Sequence, residues 1–248
     1  MSEILPSVTT GNLTSSTWEM KIRELVDQRI SRAALFLTYL DADERKRCYR
    51  LLEEAHSEFT FVLPFVHASS TMTEDEYRYL SRTFGTRYFN LHSAREFPLE
   101  APLSDILKKR ICIENTQPEL FYESDLKGFG GICFDLSHLK DERITTPFHY
   151  KRLLSLAHQF DVRVNHISVV SRAESSLIQP HSIRVSKHVL RSEKDFSYLK
   201  EIPHHAIAPL IAIEVENSLA EQLDVIPRIA HYLSFTQKLD RRRHLQSA

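Results

Sequence analysis

The chain has 248 residues, 32 basic and 33 acidic side chains for a formal net charge of −1, and 42% hydrophobic residues. That length buries a substantial core, which excludes a stapled mini-protein or a disordered chain, and the charge balance excludes a globally basic nucleic-acid coat. Thirteen histidines are the unusual count, because imidazole is the commonest metal ligand and the group best suited to proton transfer near neutral pH.

Short β-rich apolar runs alternate with segments of helical periodicity. A first strand is expected near Leu5–Thr10, followed by a helix opened by a Ser16/Glu19 capping box, with Met20, Ile22, Leu25 and Val26 on one side. Ala33–Tyr39 reads as the second strand, and Asp41 to Glu44 caps a helix whose apolar stripe is Cys48, Leu51 and Leu52. Phe59–His67 and Arg87–His92 are the next strands, separated by a helix starting at Thr73–Glu76, and a short helix is expected at Leu103–Lys109. Later strands are expected at Ile111–Asn115, Gly131–Asp135, Val162–Val169 and Pro209–Val215. Helical stretches around Pro118–Leu126, Phe148–Phe160 and Phe196–Ile202 separate them, and a last helix starts from a Ser218/Glu221 capping box. Eight strand-then-helix units in this length match a single α/β domain, a (β/α)8 barrel over residues 1–248, with 239–248 as a flexible tail. An open nucleotide-binding sheet is disfavoured, since neither GxGxxG nor a P-loop sequence occurs.

Three cysteines without a CxxC pair argue against a disulfide framework and for a reducing, cytoplasmic compartment. Neither a secretory leader nor an apolar run long enough to cross a membrane is legible in the sequence.

In a barrel, functional groups sit at the C-terminal ends of the strands. Those ends read His67, His92, Glu114, Asp135 with His138, His166 and Glu214. In the last four strands the residues two positions earlier are Cys112, Cys133, Val164 and Ala212, modest side chains suited to a barrel interior, so each polar group should point inward above a packed layer. A single histidine at a strand end is usually a hydrogen-bonded core or loop residue. A carboxylate closing an apolar strand is costly unless paired or metal-bound, and Glu114, Asp135 and Glu214 are three such cases on one rim with His166. Oxygen and imidazole donors suit Mn²⁺, Mg²⁺, Zn²⁺ or Fe²⁺, with identity and number left open, and leave the cysteines to the core. Glu216 shares the parity of Glu214 and reads equally as a substrate contact or a loop residue.

The ordered set His67-Ala-Ser, Asn-Leu-His92, Ile-Glu114-Asn-Thr, Phe-Asp135-Leu-Ser-His138, Asn-His166-Ile-Ser and Ile-Glu214-Val, from about residue 60 to 216, resembles the xylose isomerase-like barrel superfamily. That superfamily holds both sugar isomerases or epimerases and endonuclease IV-like abasic-site nucleases. The resemblance implies a divalent metal on Glu114, Asp135, His166 and Glu214, with His138 contacting substrate or a further metal.

The isomerase branch requires one ion, with Glu114 and Glu214 moving the proton of an enediolate reaction on a small sugar or polyhydroxy-carbonyl compound. His138 would orient a hydroxyl, and His188 or Arg184 would bind the distal end of the substrate. The alternative is a zinc-dependent phosphodiesterase acting on DNA, for which His67, His92, His138 and His188 fall where additional metal-binding histidines are expected. That branch pairs the histidine matching His188 with an aspartate two residues earlier, where this chain has Ser186. A third possibility is a catalytically silent scaffold. A homo-oligomer is compatible with the apolar residues of the barrel helices.

Overall fold

Pro6 has no amide hydrogen to give to a neighbouring strand, and it splits the first strand in two. In the computed structural model, which describes residues 2–170 and 186–246, Glu3–Leu5 pairs in parallel with Leu210–Ile213 and Ser7–Val8 pairs in parallel with Arg32–Phe36. The Pro6 carbonyl between them accepts from the Ala34 amide at 2.9 Å. Taken together as β1, the two halves join the edges of the sheet into a ring. The other strands of the ring are β2 (Arg32–Phe36), β3 (Val62–His67), β4 (Tyr88–His92), β5 (Ile111–Glu114), β6 (Gly131–Asp135), β7 (Val162–Ile167) and β8 (Leu210–Ile213), and a separate antiparallel pair joins Val169–Val170 to Ser186–Lys187. Each ring strand is parallel to the next, which makes the (β/α)8 barrel that the sequence alternation predicts.

The helices follow the sequence closely at first and less closely later. Helix α1 (Trp18–Asp27) is capped by Thr17 rather than Ser16, and Met20 faces solvent while Trp18, Lys21, Ile22 and Leu25 are buried. Helices α2 (Ala42–Glu58) and α3 (Glu74–Phe84) carry the capping boxes Asp41/Glu44 and Thr73/Glu76. Gly85, at φ 68°, closes α3 in the left-handed conformation that glycine adopts without strain. The next two crossovers hold only single turns, α4 (Asp105–Lys108) and, after a 3-10 turn at Pro118–Leu120, α5 (Glu123–Leu126).

Helix α6 (Leu136–Thr145) was not legible in the sequence. It starts directly on the last residue of β6, and polar Ser137, His138 and Asp141 are buried along with Leu136 and Leu139, so no apolar stripe marks it. Helix α7 is Pro147–Leu156, and the stretch around Phe196 is a 3-10 helix, Glu193–Glu201, rather than an α-helix. The last helix, α8 (Leu219–Gln246), starts at the expected Ser218/Glu221 box and continues through the segment from 239 that reads as a tail.

Two apolar layers result. Inside the ring lie Leu5, Ala34, Phe36, Phe65, Cys112, Cys133, Val164, Leu210 and Ala212, including all four residues expected there by parity. The larger layer packs the outer strand faces against the helices. The floor of the mouth is therefore apolar, built of aliphatic, aromatic and thiol side chains. The three cysteines are free and buried, and burial raises the thiols of Cys48 and Cys112 to about 12. No helix among the described residues is long and apolar enough to cross a membrane.

Candidate metal centre

Glu114 ends β5 with the parity of Cys112, so its carboxylate projects inward above the packed layer at 3% exposure. Its Oε2 accepts from Asn90 Nδ2 at 2.6 Å and lies 2.9 Å from His67 Nε2, 3.5 Å from His166 Nδ1 and 3.7 Å from His92 Nε2. Burial alone would raise the pKa of this acid, but His166, His67 and His92 outweigh it and hold the group well below the usual carboxylate range. Asn90 shares the inward parity of His92 and was missed in the sequence; a polar residue two positions before a strand-end histidine was the available clue.

Asp135 is fully buried and does two jobs. Its Oδ1 caps α6, accepting from the amides of Ser137 at 2.7 Å and His138 at 3.1 Å, and from the Ser137 hydroxyl. Its Oδ2 has no hydrogen-bond partner among the described residues, though His138 Nε2 is 3.3 Å away. Asn115 fixes the strand end by accepting from the Asp135 amide at 2.7 Å and donating to the Asp135 carbonyl at 3.3 Å.

His166, fully buried at the end of β7, leaves both ring nitrogens without a hydrogen bond among the described residues. Its Nδ1 is 3.5 Å from Glu114 Oε2 and 3.5 Å from Glu214 Oε2, at the outer limit of hydrogen-bonding distance. Glu214 follows β8 and extends its ladder, its amide donating to the Ile167 carbonyl at 2.8 Å. Burial would raise Glu214, but His188 and His166 bring it down to about 2.

These donors form interlocking groups: Asp135, His166 and Glu214; Glu114, Asp135 and His138; and His67, His92 and Glu114, each with ligand atoms within 4.8 Å of one another. Buried oxygen and nitrogen atoms lacking partners, converging at one point, are what a divalent cation would satisfy. The residues therefore fit such an ion, with Glu114, Asp135, His166 and Glu214 as its expected holders. Cys133 also comes within reach of Glu114 and His166, yet burial raises its thiol well above the usual range, as befits a core residue under the site.

The site opens into a cavity of about 420 Å³ bounded by Thr38, Tyr39, Phe97, Thr116, His138 and His188 as well as the acidic and histidine cluster. The Phe97 ring sits 5.1 Å from that of His92. His188 contacts the Glu214 carbonyl through Nδ1 at 3.1 Å. Arg184 lies outside the described residues. Glu216, one of the two glutamates of shared parity, is not at this mouth: Oε1 accepts from the Gly11 amide at 3.1 Å, and Oε2 takes the Thr9 hydroxyl at 3.2 Å and Lys21 Nζ at 3.3 Å. Its carboxylate staples the β1–α1 loop to the end of β8. Asp141, a buried carboxylate beside His138, is a second residue the sequence did not single out.

Cation binding should depend on pH in a defined direction. Burial would lower His166, but Glu114, Glu214 and Asp135 outweigh it and raise the ring above its ordinary value of 6.5. Burial lowers His92 to about 4, against the pull of Glu114, so that ring is already neutral. A cation must displace the His166 proton, so Mn²⁺ affinity, measured by isothermal titration, should rise between pH 6 and pH 8 and be weakest at the acid end. Affinity that is flat over that range would remove His166 from the ligand set.

No family model and no curated protein matches the sequence. Solved structures with a similar course include thiamine phosphate pyrophosphorylase from Pyrococcus furiosus, 11% identical, TM-score 0.45, covering 93% of this chain and 96% of that one. Endonuclease IV from Thermus thermophilus is 12% identical, TM-score 0.44, covering 93% and 98%. A provisionally named xylose isomerase from Rhodospirillum rubrum is 10% identical, TM-score 0.47, covering 96% and 99%. At this level of similarity, activity rests on the side chains of the mouth.

Proposed function

We propose that the protein is a divalent-metal-dependent isomerase or epimerase of a small sugar or polyhydroxy-carbonyl compound. The observation that carries this reading is the pair Glu114 and Glu214, both held in the ionised form and both 3.5 Å from the same nitrogen of His166 at the wall of one cavity. Two poised carboxylates at a cation site are the equipment for moving a proton next to a carbonyl.

A cation held by Glu114, Asp135, His166 and Glu214 would supply Lewis-acid polarisation of neighbouring substrate oxygens. Glu214 is the less encumbered base. Among the described residues its two oxygens have long contacts to imidazoles, at 3.5 Å and 4.0 Å, whereas Glu114 Oε2 is already held by Asn90 and His67. One carboxylate takes the proton from the carbon bearing a hydroxyl beside the carbonyl, and the electron pair moves into an enediolate. Return of a proton to the same carbon from the other face gives the epimer; return to the former carbonyl carbon, with the hydroxyl proton passing from its oxygen to the former carbonyl oxygen, gives the isomer. His138 and His188 line the cavity where substrate hydroxyls would lie, and Tyr39 and Phe97 offer apolar faces to a carbon chain.

The test is exchange in D₂O with a panel of three- to six-carbon aldoses and ketoses in the presence of Mn²⁺. Chelator-sensitive incorporation of deuterium next to the carbonyl is expected with at least one of them. Absence of exchange, together with chelator-sensitive cleavage of abasic-site DNA, would replace this reading with the phosphodiesterase. One feature favours that second reading: His67, His92 and Glu114 form a further group with room for a cation, and metal-hydroxide attack on a phosphate commonly uses more than one ion.

A further inference from the structure

The loop between β1 and α1 is pinned to the end of β8. Glu216 Oε1 accepts from the Gly11 amide at 3.1 Å, and the Thr14 hydroxyl donates to the Glu216 carbonyl at 2.7 Å. Even a methyl group on Gly11 would collide with Glu216 Oε1, so the backbone there lies directly on the carboxylate. This loop and the turn from β2 into α2 bound a second cavity, of about 540 Å³, which shares Tyr39 and His188 with the mouth and so adjoins it. His188 is fixed at that boundary by the end of β8: its Nδ1 is 3.1 Å from the Glu214 carbonyl, and its own carbonyl accepts from the Glu216 amide at 2.7 Å. Each of the two cavities alone has the size usual for a small-molecule site, roughly 300–1,000 Å³.

The lining of the second cavity mixes two kinds of surface. Leu13, at 60% exposure, and the rings of Trp18 and Tyr39 are apolar, while Asn12, Glu19 and Glu44 are polar. The Thr10 hydroxyl, in the same wall, is enclosed and has no hydrogen-bond partner among the described residues, an unmet donor beside the cavity. Among the described residues neither cavity is lined by a lysine or an arginine. A phosphate or carboxylate in the second cavity would meet no counter-charge there and would face the carboxylates of Glu19 and Glu44. A neutral sugar ring suits both surfaces, with hydroxyls for the amide and carboxylate oxygens and C–H faces for the leucine and the aromatic rings.

We propose that the second cavity binds a neutral sugar ring attached to the reacting unit, so that the preferred substrate is the size of a disaccharide and carries no phosphate. The proposal rests on the isomerase reading for the reacting end only. The carbonyl-bearing unit lies at the mouth, and the rest of the substrate passes Tyr39 and His188 into a pocket already shaped by the pinned loop, which lowers the cost of ordering it.

The test is isothermal titration of the full chain, with Mg²⁺ present, against glucose, glucose 6-phosphate, cellobiose, maltose and lactose. At least one disaccharide should bind about tenfold or more tighter than glucose, a modest return for a second ring, and glucose 6-phosphate should gain nothing over glucose. The double variant Asn12→Ala, Leu13→Ser changes two exposed loop residues. It should bring the disaccharide to within about twofold of glucose and leave glucose itself unchanged. Glucose binding with no disaccharide tighter would overturn the proposal and leave the isomerase reading standing, whereas failure of every sugar to bind would overturn both. A disaccharide advantage that survives the double variant, or glucose 6-phosphate binding more tightly than the disaccharides, would also overturn it. A disaccharide advantage that the variant removes, without deuterium exchange into any sugar in D₂O, would keep the binding site and remove the isomerase reading.

Discussion

Under the proposed isomerase reading, Glu114→Gln is expected to lower turnover by about 10²- to 10⁴-fold, the usual worth of a positioned general acid–base group. Glutamine keeps the volume and removes both the charge and the basicity. It also places an amide where Glu114 Oε2 now accepts from Asn90 at 2.6 Å and faces His67 Nε2 at 2.9 Å. If the amide oxygen keeps that position, the amino group takes the place of the other carboxylate oxygen, which can then hold no cation. Mn²⁺ affinity should therefore fall in the same variant. Glu214→Gln is expected to behave alike in turnover, and Glu214 is the more telling substitution because among the described residues its imidazole contacts are long, at 3.5 Å and 4.0 Å. Full turnover in either folded variant would sink the proton-transfer role of that residue.

The second large effect concerns stability. Lys21 is a wholly buried ammonium in α1, with Nζ 2.8 Å from the Ser16 carbonyl, 3.3 Å from the Thr9 carbonyl and 3.3 Å from Glu216 Oε2. Burial lowers its pKa, and Glu216 opposes the shift. Lys21→Met removes one partner and leaves the Glu216 carboxylate buried with, among the described residues, the Thr9 hydroxyl and the Gly11 amide as donors. Breaking a buried pair on one side costs roughly 3–5 kcal/mol, and denaturant titration should find a loss of that size. The double variant Lys21→Met, Glu216→Gln should recover a large part of it, since the stranded charge is gone. Because the Glu216 amide also donates to the His188 carbonyl at 2.7 Å, the loosened staple lies next to the mouth. A loss below about 1 kcal/mol, the worth of an exposed pair, would mean that the pair is not buried in solution.

What the sequence revealed follows from which physical pattern each element obeys. The strands β5, β6 and β8 are short apolar runs that end at or just before a carboxylate, and the inward parity of the last four strands was legible, down to Cys112, Cys133, Val164 and Ala212 in the barrel interior. Glu114, Asp135 and Glu214 stand out because a carboxylate closing an apolar strand is costly to bury, whereas His166 lies in the mixed run Val-Arg-Val-Asn-His-Ile and is marked by its place near the strand end. Helix α6 was hidden because its buried face is polar, and with it Asp141 was hidden. Asn90 was missed because asparagine inside a strand carries no charge to explain. The break of β1 at Pro6 could be suspected from proline, but which half pairs with which edge is a long-range matter. Glu216 shows the limit of parity: it is two residues from Glu214, yet the loop from Thr9 to Ser16 folds over it and consumes its oxygens.

We propose that Glu114, Asp135, His166 and Glu214 hold a divalent cation at the C-terminal mouth of the barrel. The direct measurement is an anomalous difference map from crystals of the protein grown with Mn²⁺. The expected result is a peak ringed by those four side chains, with one ion for the isomerase and a further peak among His67, His92 and Glu114 only if the phosphodiesterase reading holds. A map with no peak at the mouth, or with manganese bound elsewhere and these side chains turned away from one another, would contradict the account.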